Sequence, residues 1–298
     1  MSKEDIIVVA VDGSDASNEA VRWAANTAAK REIPLRLASS YTMPQFLYAE
    51  GMTPPKELYD ELQGETLDKI EAARKIALEV APDIKIGHTV VEGSPIDMLL
   101  EMSNDVTMIV LGSRGLGGLS GMVMGSVSAA VVSHSTCPVV VVREDSGVTE
   151  SSKYGPVVVG VDGSEVSQKA TEYAFAEAHA RGSELIAVNT WMDMQVQASL
   201  AGLTAAQKEW EQTEKEQKQM MDERLSALAE KYPEVPVKKI VTRDRPVRAL
   251  AENAENAQLL VTGSHGRGGF KGMLLGSTSR ALLQSAPCPM MVVRPESE

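Results

Sequence analysis

The residues best placed to do chemistry in this chain are glycines. Gly112-x2-Gly115-x9-Gly125-Ser126 recurs as Gly263-x2-Gly266-x9-Gly276-Ser277, and inside it Gly117-Gly118 recurs as Gly268-Gly269. Glycine lets the backbone approach a ligand with no Cβ in the way, and a run of exposed N–H groups forms a nest for phosphate oxygens. A helix expected to start at Ser126, and again at Ser277, adds unpaired N–H groups and a partial positive charge. Arg114, or His265 with Arg267, supplies cationic donors. The plain alternative is a flexible glycine loop with Gly placed for tight turns. The pattern is not GxxxxGK[ST], and no GxGxxG follows the first strand of either copy.

A second pair of candidates is Asp12 and Asp162, each within Val-Asp-Gly-Ser. A carboxylate there can accept a hydrogen bond from a ribose hydroxyl or an adenine amine. It can equally be a turn residue before Gly13-Ser14. Other chemistry is poorly served. His88, His134, His179 and His265 show no metal-ligand spacing, and only His265 falls in a candidate loop. Cys137 and Cys288 each precede a proline without a CxxC partner, which favours a structural role over redox chemistry. The 15 methionines suggest adaptable packing rather than metal binding.

What must position these residues is written twice. The segment 6–17, IIVVAVDGSDAS, matches 157–167, VVVGVDGSEVS, and TCPVVVVRE at 136–144 matches PCPMMVVRP at 287–295. The offset is 150 at Asp12 and 151 at Gly112, so a whole domain is duplicated. At roughly 150 residues per domain the length agrees. We expect domains at 1–144 and 156–298, joined by the polar stretch 145–155.

In the first copy, Ile6–Val11 reads as a strand buried on both faces. Ser14 or Asp15 caps a helix over Ala16–Arg31. Strands follow at Leu35–Ser40, Ile84–Val91, Val106–Leu111 and Val139–Val142. Helices are expected at Leu58–Val80, from Pro95 behind a Ser94 cap to near Asn104, and at Ser126–His134. In the second copy, Lys208–Lys231 reads as an amphipathic helix. The expected fold class is α/β: two tandem doubly wound parallel five-stranded sheets, with ligands beyond the carboxyl ends of the strands.

Composition narrows the partners. The net charge is −12, with 12 Lys+Arg against 21 Asp+Glu in residues 1–147 and 17 against 20 in the remainder. Such a chain repels a phosphate backbone, which disfavours nucleic acid. Two cysteines do not make a disulfide framework. The N-terminal layout carries no signal-peptide pattern, and no apolar run approaches the roughly 18 residues of a membrane span. A cytoplasmic protein with no integral membrane segment is expected.

The Val-Asp-Gly-Ser at the first strand, the glycine motif and the terminal Cys-Pro-Val-Val-Val-Val-Arg together resemble the universal stress protein family, over about Ile6–Arg143 and Val157–Arg294. The resemblance implies the tandem ATP-binding type, with ATP and Mg²⁺ as ligands. It implies phosphate and ribose contacts from the glycine motif, and an adenosine pocket at the first and second strand ends. Carried over, these are Asp12, Ser40 and the Gly112–Ser126 loop, then Asp162, Thr190 and the Gly263–Ser277 loop. Ala10 stands where the second copy has Gly160, and Gly93 where it has Asp244. Either difference is expected to make the first pocket tighter or weaker. Aligning the loops pairs Arg114 with His265, Leu116 with Arg267 and Ser120 with Lys271, so the second site is expected to hold phosphates more strongly.

The resemblance also implies dimerisation through the final strand, hence a pseudo-twofold pair of copies and a homo-oligomer, with room for a protein partner. The functional expectation is a regulatory or energy-sensing module in stress response or growth control. The alternative is a slow ATPase or phosphotransferase, although no catalytic-base constellation or Mg²⁺ carboxylate pair stands out. An adenylating ATP pyrophosphatase would carry an SGGxDS-type loop where this chain has Asp-Gly-Ser-Asp-Ala-Ser. A purely structural interaction protein leaves the doubled glycine motif without a purpose.

Overall fold

A computed structural model describes residues 4–43, 55–115, 124–144, 154–191, 203–266 and 274–295, with residues 203–211 as backbone only. They fall into two compact units, 4–144 and 154–295. In the first unit the elements run β1 (Glu4–Ala10), α1 (Asp15–Lys30), β2 (Leu35–Tyr41), α2 (Lys56–Val80), β3 (Ile86–Glu92), α3 (Pro95–Met102), β4 (Val106–Gly112), α4 (Ser126–His134) and β5 (Val139–Val142). The second runs β6 (Val157–Gly160), α5 (Glu165–Arg181), β7 (Leu185–Thr190), α6 (Leu203–Lys231), β8 (Val237–Thr242), α7 (Pro246–Asn253), β9 (Leu259–Gly263), α8 (Ser277–Ser285) and β10 (Met290–Val293).

Every strand pair within a unit is parallel. The order is β3-β2-β1-β4-β5 in the first unit and β8-β7-β6-β9-β10 in the second. Ile7, Val8 and Val9 are fully buried because helices cover both faces of the sheet. The chain leaves β1 for β2 on one side and returns to β4 on the other. A crevice therefore opens beyond the carboxyl ends of β1 and β4, and likewise of β6 and β9. The outermost paired strand β8 carries exposed Lys238 and Lys239, charges that discourage pairing with another chain.

Local signals set the helix ends. The Ser14 hydroxyl accepts from the Ser17 N–H at 3.2 Å, and the Ser94 hydroxyl accepts from the Asp97 N–H at 3.3 Å. These caps satisfy N–H groups that a helix start leaves open. Helix α5 ends on Gly182 in the left-handed conformation at φ 58°, whereas just beyond the end of α1 Glu32 sits at φ 55°. Strand β1 starts at Glu4, ahead of the apolar run, because Glu4 pairs with Val106 of β4 and its N–H donates to the Asp105 carbonyl at 2.6 Å, while Glu4 and Asp5 are exposed.

Candidate functional site

The site in each unit begins with the turn after the first strand. Asp12 Oδ1 accepts from the Ser14 N–H at 2.9 Å and from the Ser14 hydroxyl at 2.6 Å. Asp162 Oδ1 accepts from Ser164 in the same way, at 2.9 and 2.7 Å. The Ser17 hydroxyl accepts from the Asp12 N–H and donates to the Ala10 carbonyl, both at 3.3 Å. Ser167 does the same for Asp162 and Gly160. Gly13 at φ 87° and Gly163 at φ 84° take the left-handed corner that glycine favours. The turn reading of these aspartates is therefore correct for Oδ1. Oδ2 of Asp12 points instead to where a Gly115 side chain would be, and Oδ2 of Asp162 does so at Gly266.

The motif glycines serve three different ends. A Cβ on Gly112 would lie 2.7 Å from the Ala16 carbonyl carbon, so this glycine lets the start of α1 cross the end of β4. Gly263 does the same against Val166, at 2.9 Å. Gly115 and Gly266 leave space for the aspartate. Gly125 has φ −71°, open to any residue, and a Cβ there would meet only ordinary contacts at 3.7 Å. Among the described residues nothing requires glycine at 125. Yet Gly125 is the N-cap of α4, no side chain caps that helix, and Gly125 lines the crevice. Gly276 is the equally uncapped start of α8, and a Cβ there would press on His265 Cα at 3.1 Å.

In the first unit Ala10, Asp12, Ser40, Gly112, Arg114, Gly115, Gly125 and Ser126 all line one cavity of about 500 Å³. In the second, Gly160, Asp162, Thr190, Gly263, His265 and Gly266 line a cavity of about 390 Å³. Gly276 and Ser277 are not among its lining residues, although Thr278 and Ser279 are, and the Gly276 N–H donates to the Ser264 carbonyl at 2.7 Å as the Gly125 N–H does to Ser113 at 2.8 Å. Asp244 also lies outside that lining. It accepts from the Arg245 N–H at 2.6 Å and pairs with Arg248 at 3.6 Å. Gly117, Gly118, Arg267, Gly268 and Gly269 lie outside the described residues, as do Leu116, Ser120 and Lys271. Ala10 lines the cavity of about 500 Å³ and Gly160 the cavity of about 390 Å³. A Cβ at Gly160 would be 3.3 Å from Leu250, so glycine there answers a close-packed leucine.

Several lining residues carry no motif. Lys69, from α2, lines the first cavity, and its stem lies over Gly13, with Cγ 3.4 Å from where a Cβ would stand. In the second unit the Arg224 guanidinium, from α6, covers Gly163. Met98, Leu99, Leu111, Met124 and Val127 make the rest of the first wall largely apolar. Trp191, Gln217 and Thr262 give the second wall a different character. Arg114 pairs loosely with Glu144 at 3.9 Å, and His265 Nδ1 lies 2.9 Å from the Ser264 hydroxyl.

Both cysteines are free and buried, and burial pushes the Cys288 thiol up to about 12, where it holds its proton and is inert. Among the described residues no group of three or more His, Cys, Asp or Glu is placed to hold a metal. No helix among them is long and apolar enough to cross a membrane.

Comparison with known proteins agrees with this geometry. The sequence pattern described as "Universal stress protein family" matches residues 4–143 and 153–294. The chain belongs to the universal stress protein family. A universal stress protein of Mycobacterium tuberculosis is 41% identical over 300 residues, covering 98% of each chain. A second from that organism is 36% identical over 291 residues, covering 97% of this chain and 96% of its own. A crystal structure of a universal stress protein from Archaeoglobus fulgidus shares the fold over 97% of this chain and 98% of its own, with a TM-score of 0.70 and 22% identity. As a tandem universal stress protein, the chain repeats the α/β domain and its crevice in each half.

Proposed function

We propose that this universal stress protein binds ATP, with Mg²⁺ held through the phosphates, at one site in each copy, and acts as a regulatory or energy-sensing module rather than a catalyst. The observation that carries this reading is Gly125. Among the described residues nothing requires glycine there, and it stands at an uncapped helix start, lining a cavity that Asp12, Ser40 and Arg114 also line. Approach by an anion explains it. Cavities of about 500 and 390 Å³ fall in the range of small-molecule sites. Asp12 and Ser40 line the first cavity from the β1 and β2 ends, as Asp162 and Thr190 line the second from β6 and β7, which suits the ribose and base.

The buried free thiols fit a reducing compartment, and we place the protein in the cytoplasm. Association of whole chains into homo-oligomers belongs to the same proposal, and a monomer mass across the working concentration range in sedimentation would remove that part. The central test is mass spectrometry of small molecules released from freshly purified, denatured protein, followed by calorimetric titration with Mg²⁺-ATP. Two adenine nucleotides per chain are expected. No heat and no displacement of a fluorescent ATP analogue would overturn the assignment. Phosphate release above the buffer rate would move it to the hydrolase alternative.

A further inference from the structure

The edge of the first sheet is open on the side of α3. Right-handed crossovers put α2 and α3 on opposite faces. Helix α2 packs on β2 and β3, whereas α3 packs on β2, and no residue of β3 is buried. Thr89 and Val91 of β3 and Arg36 of β2 line a groove of about 840 Å³ that runs along α3. The groove is acidic. Glu4, Glu92, Asp97, Glu101 and Asp105 line it, and all five are exposed. Arg36 is its one cation and pairs with Glu4 at 3.5 Å. Five carboxylates less one guanidinium leave a net charge of −4.

The same place in the second unit is basic. Leu35 pairs with Ile86 as Leu185 pairs with Val237, and Pro95 and Pro246 each open the next helix, which fixes the alignment. Glu92 then corresponds to Arg243, Ser94 to Arg245 and Asp97 to Arg248, and all three arginines are exposed. Asp105 corresponds to Asn256. Lys239 pairs with Asp222 of α6, so its neighbour Lys238 projects from the opposite face of β8, the side of α7. Of the carboxylates, Asp244 and Glu252 stand here, both paired with Arg248. Four cations less two carboxylates leave +2. Two copies of one domain thus present opposite charge at aligned positions on an open sheet edge.

We propose that these faces bind each other between chains, the β3–α3 groove of one molecule taking the β8–α7 face of a second copy. This names a surface for the homo-oligomers of the reading above and does not depend on the nucleotide. The partner is a second copy because the chain itself carries the complementary charge. The contact joins side chains of two faces and adds no strand to either sheet. Arginine forks match carboxylates in geometry as well as charge. The exposed pairs of Arg248 with Asp244 and Glu252 are weak and exchange readily for partners across the contact. Because the two faces differ, each new contact leaves one groove and one basic face open, and chains add until a ring closes. Charge complementarity of this kind sets encounter rate and register more than affinity, so the assembly is reversible and salt-sensitive.

The test is sedimentation of the full chain, with variants that give each copy the residues of the other. Glu92→Arg with Asp97→Arg makes the groove basic. Arg243→Glu with Arg248→Asp makes the second face acidic. Each substitution installs what the same fold already carries at the aligned position. The wild type should exceed the mass of one chain at ~0.01 M salt and fall to a smaller species at ~1 M, as the Debye length shrinks from about 30 to about 3 Å. Chains of net charge −12 repel one another, and salt weakens that repulsion, so assembly that grows with salt would overturn the proposal. Each variant alone should give the smaller species at low salt, because both its faces then carry one sign. Mixed in equal amounts the two should reassemble, which also shows that neither has lost its fold, and the chain with all four substitutions should assemble by itself. A wild type of one-chain mass throughout would overturn the proposal together with the homo-oligomer reading. Assembly that survives both pairs of substitutions, or variants that stay apart when mixed, would overturn this surface and leave homo-oligomers and nucleotide binding standing.

Discussion

The turns after β1 and β6 repeat the same aspartate–serine hydrogen bonds, while the cavity walls beyond them differ. Asp12 and Asp162 accept the same two hydrogen bonds from Ser14 and Ser164, and Ser17 and Ser167 tie the same main-chain groups. Each turn is held by main-chain geometry and a left-handed glycine, so few substitutions fit. The walls need only fill space, and there Leu111 faces Thr262 in the alignment. Under the proposed nucleotide reading, shared turns with unlike walls would hold a common anionic group and treat the remainder of the ligand differently.

The sharpest way to break this comparison is to disable one site at a time. Gly125→Glu places a carboxylate at the uncapped start of α4, where it meets phosphate with like charge. Titration should then find one ATP site in place of two. Gly276→Glu should do the same for the second copy. The alanine variants separate steric from electrostatic effects. Gly125→Ala meets ordinary contacts at 3.7 Å and should be mild, whereas Gly276→Ala crowds His265 at 3.1 Å and should weaken its site more. Unchanged stoichiometry in both glutamate variants would place the anion elsewhere.

A second contrast concerns stability. Glu177 and Arg181 on α5 form an ion pair at 2.9 Å with side chains 0% and 2% exposed. At the position equivalent to Glu177, α1 has Thr27, whose hydroxyl donates to the Trp23 carbonyl at 2.9 Å. Removing one partner of a buried pair strands the other charge, so Glu177→Ala should cost about 3–5 kcal/mol. Thr27→Val should cost only about 1 kcal/mol. Denaturant melts of the two variants check the difference, and comparable losses would show that the pair is not the stronger constraint.

A smaller effect is expected where Glu32 takes the conformation that Gly182 takes in the second copy. Left-handed backbone costs a non-glycine residue about 1–2 kcal/mol, part of which is offset by glycine's greater freedom when unfolded. Glu32→Gly should therefore stabilise by about 0.5–1 kcal/mol, seen as a higher midpoint in urea. A lower midpoint would mean that Glu32 makes a compensating contact.

The sequence made the strand ends and their turns legible because short apolar runs and Val-Asp-Gly-Ser encode them locally. Ser14 and Ser94 act as the caps expected of them, and β5 and α4 span the expected residues. The helix expected at Lys208–Lys231 runs Leu203–Lys231 and buries Met221 and Leu225, as its apolar spacing requires. The cavity walls were less legible. Lys69, Arg224 and Gln217 reach the site from long helices whose charged residues look alike from end to end. Only the packing of α2 and α6 decides which of them turn inward. Asp244 shows the converse: alignment with Gly93 put it at a strand end, but its neighbours Arg245 and Arg248 take its carboxylate.

Lys69 also changes what the loops alone suggest about phosphate affinity. Comparing loops gives the first site Arg114 and the second Arg267 and Lys271, which favours the second. The structure adds Lys69 to the first wall, where it makes no ion pair among the described residues. Arg114 meanwhile shares its charge with Glu144. An exposed cation near a triphosphate is worth about 0.5–1 kcal/mol, or roughly two- to fivefold in affinity. Lys69→Ala in the Gly276→Glu background should weaken ATP binding by that factor at low salt. The deficit should shrink as ionic strength rises, because screening removes what the lysine supplied. Lys69→Arg should retain most of the affinity. If Lys69→Ala leaves both the affinity and its salt dependence unchanged, the lysine stem serves only to cover Gly13, and the loop cations alone set the difference between the sites.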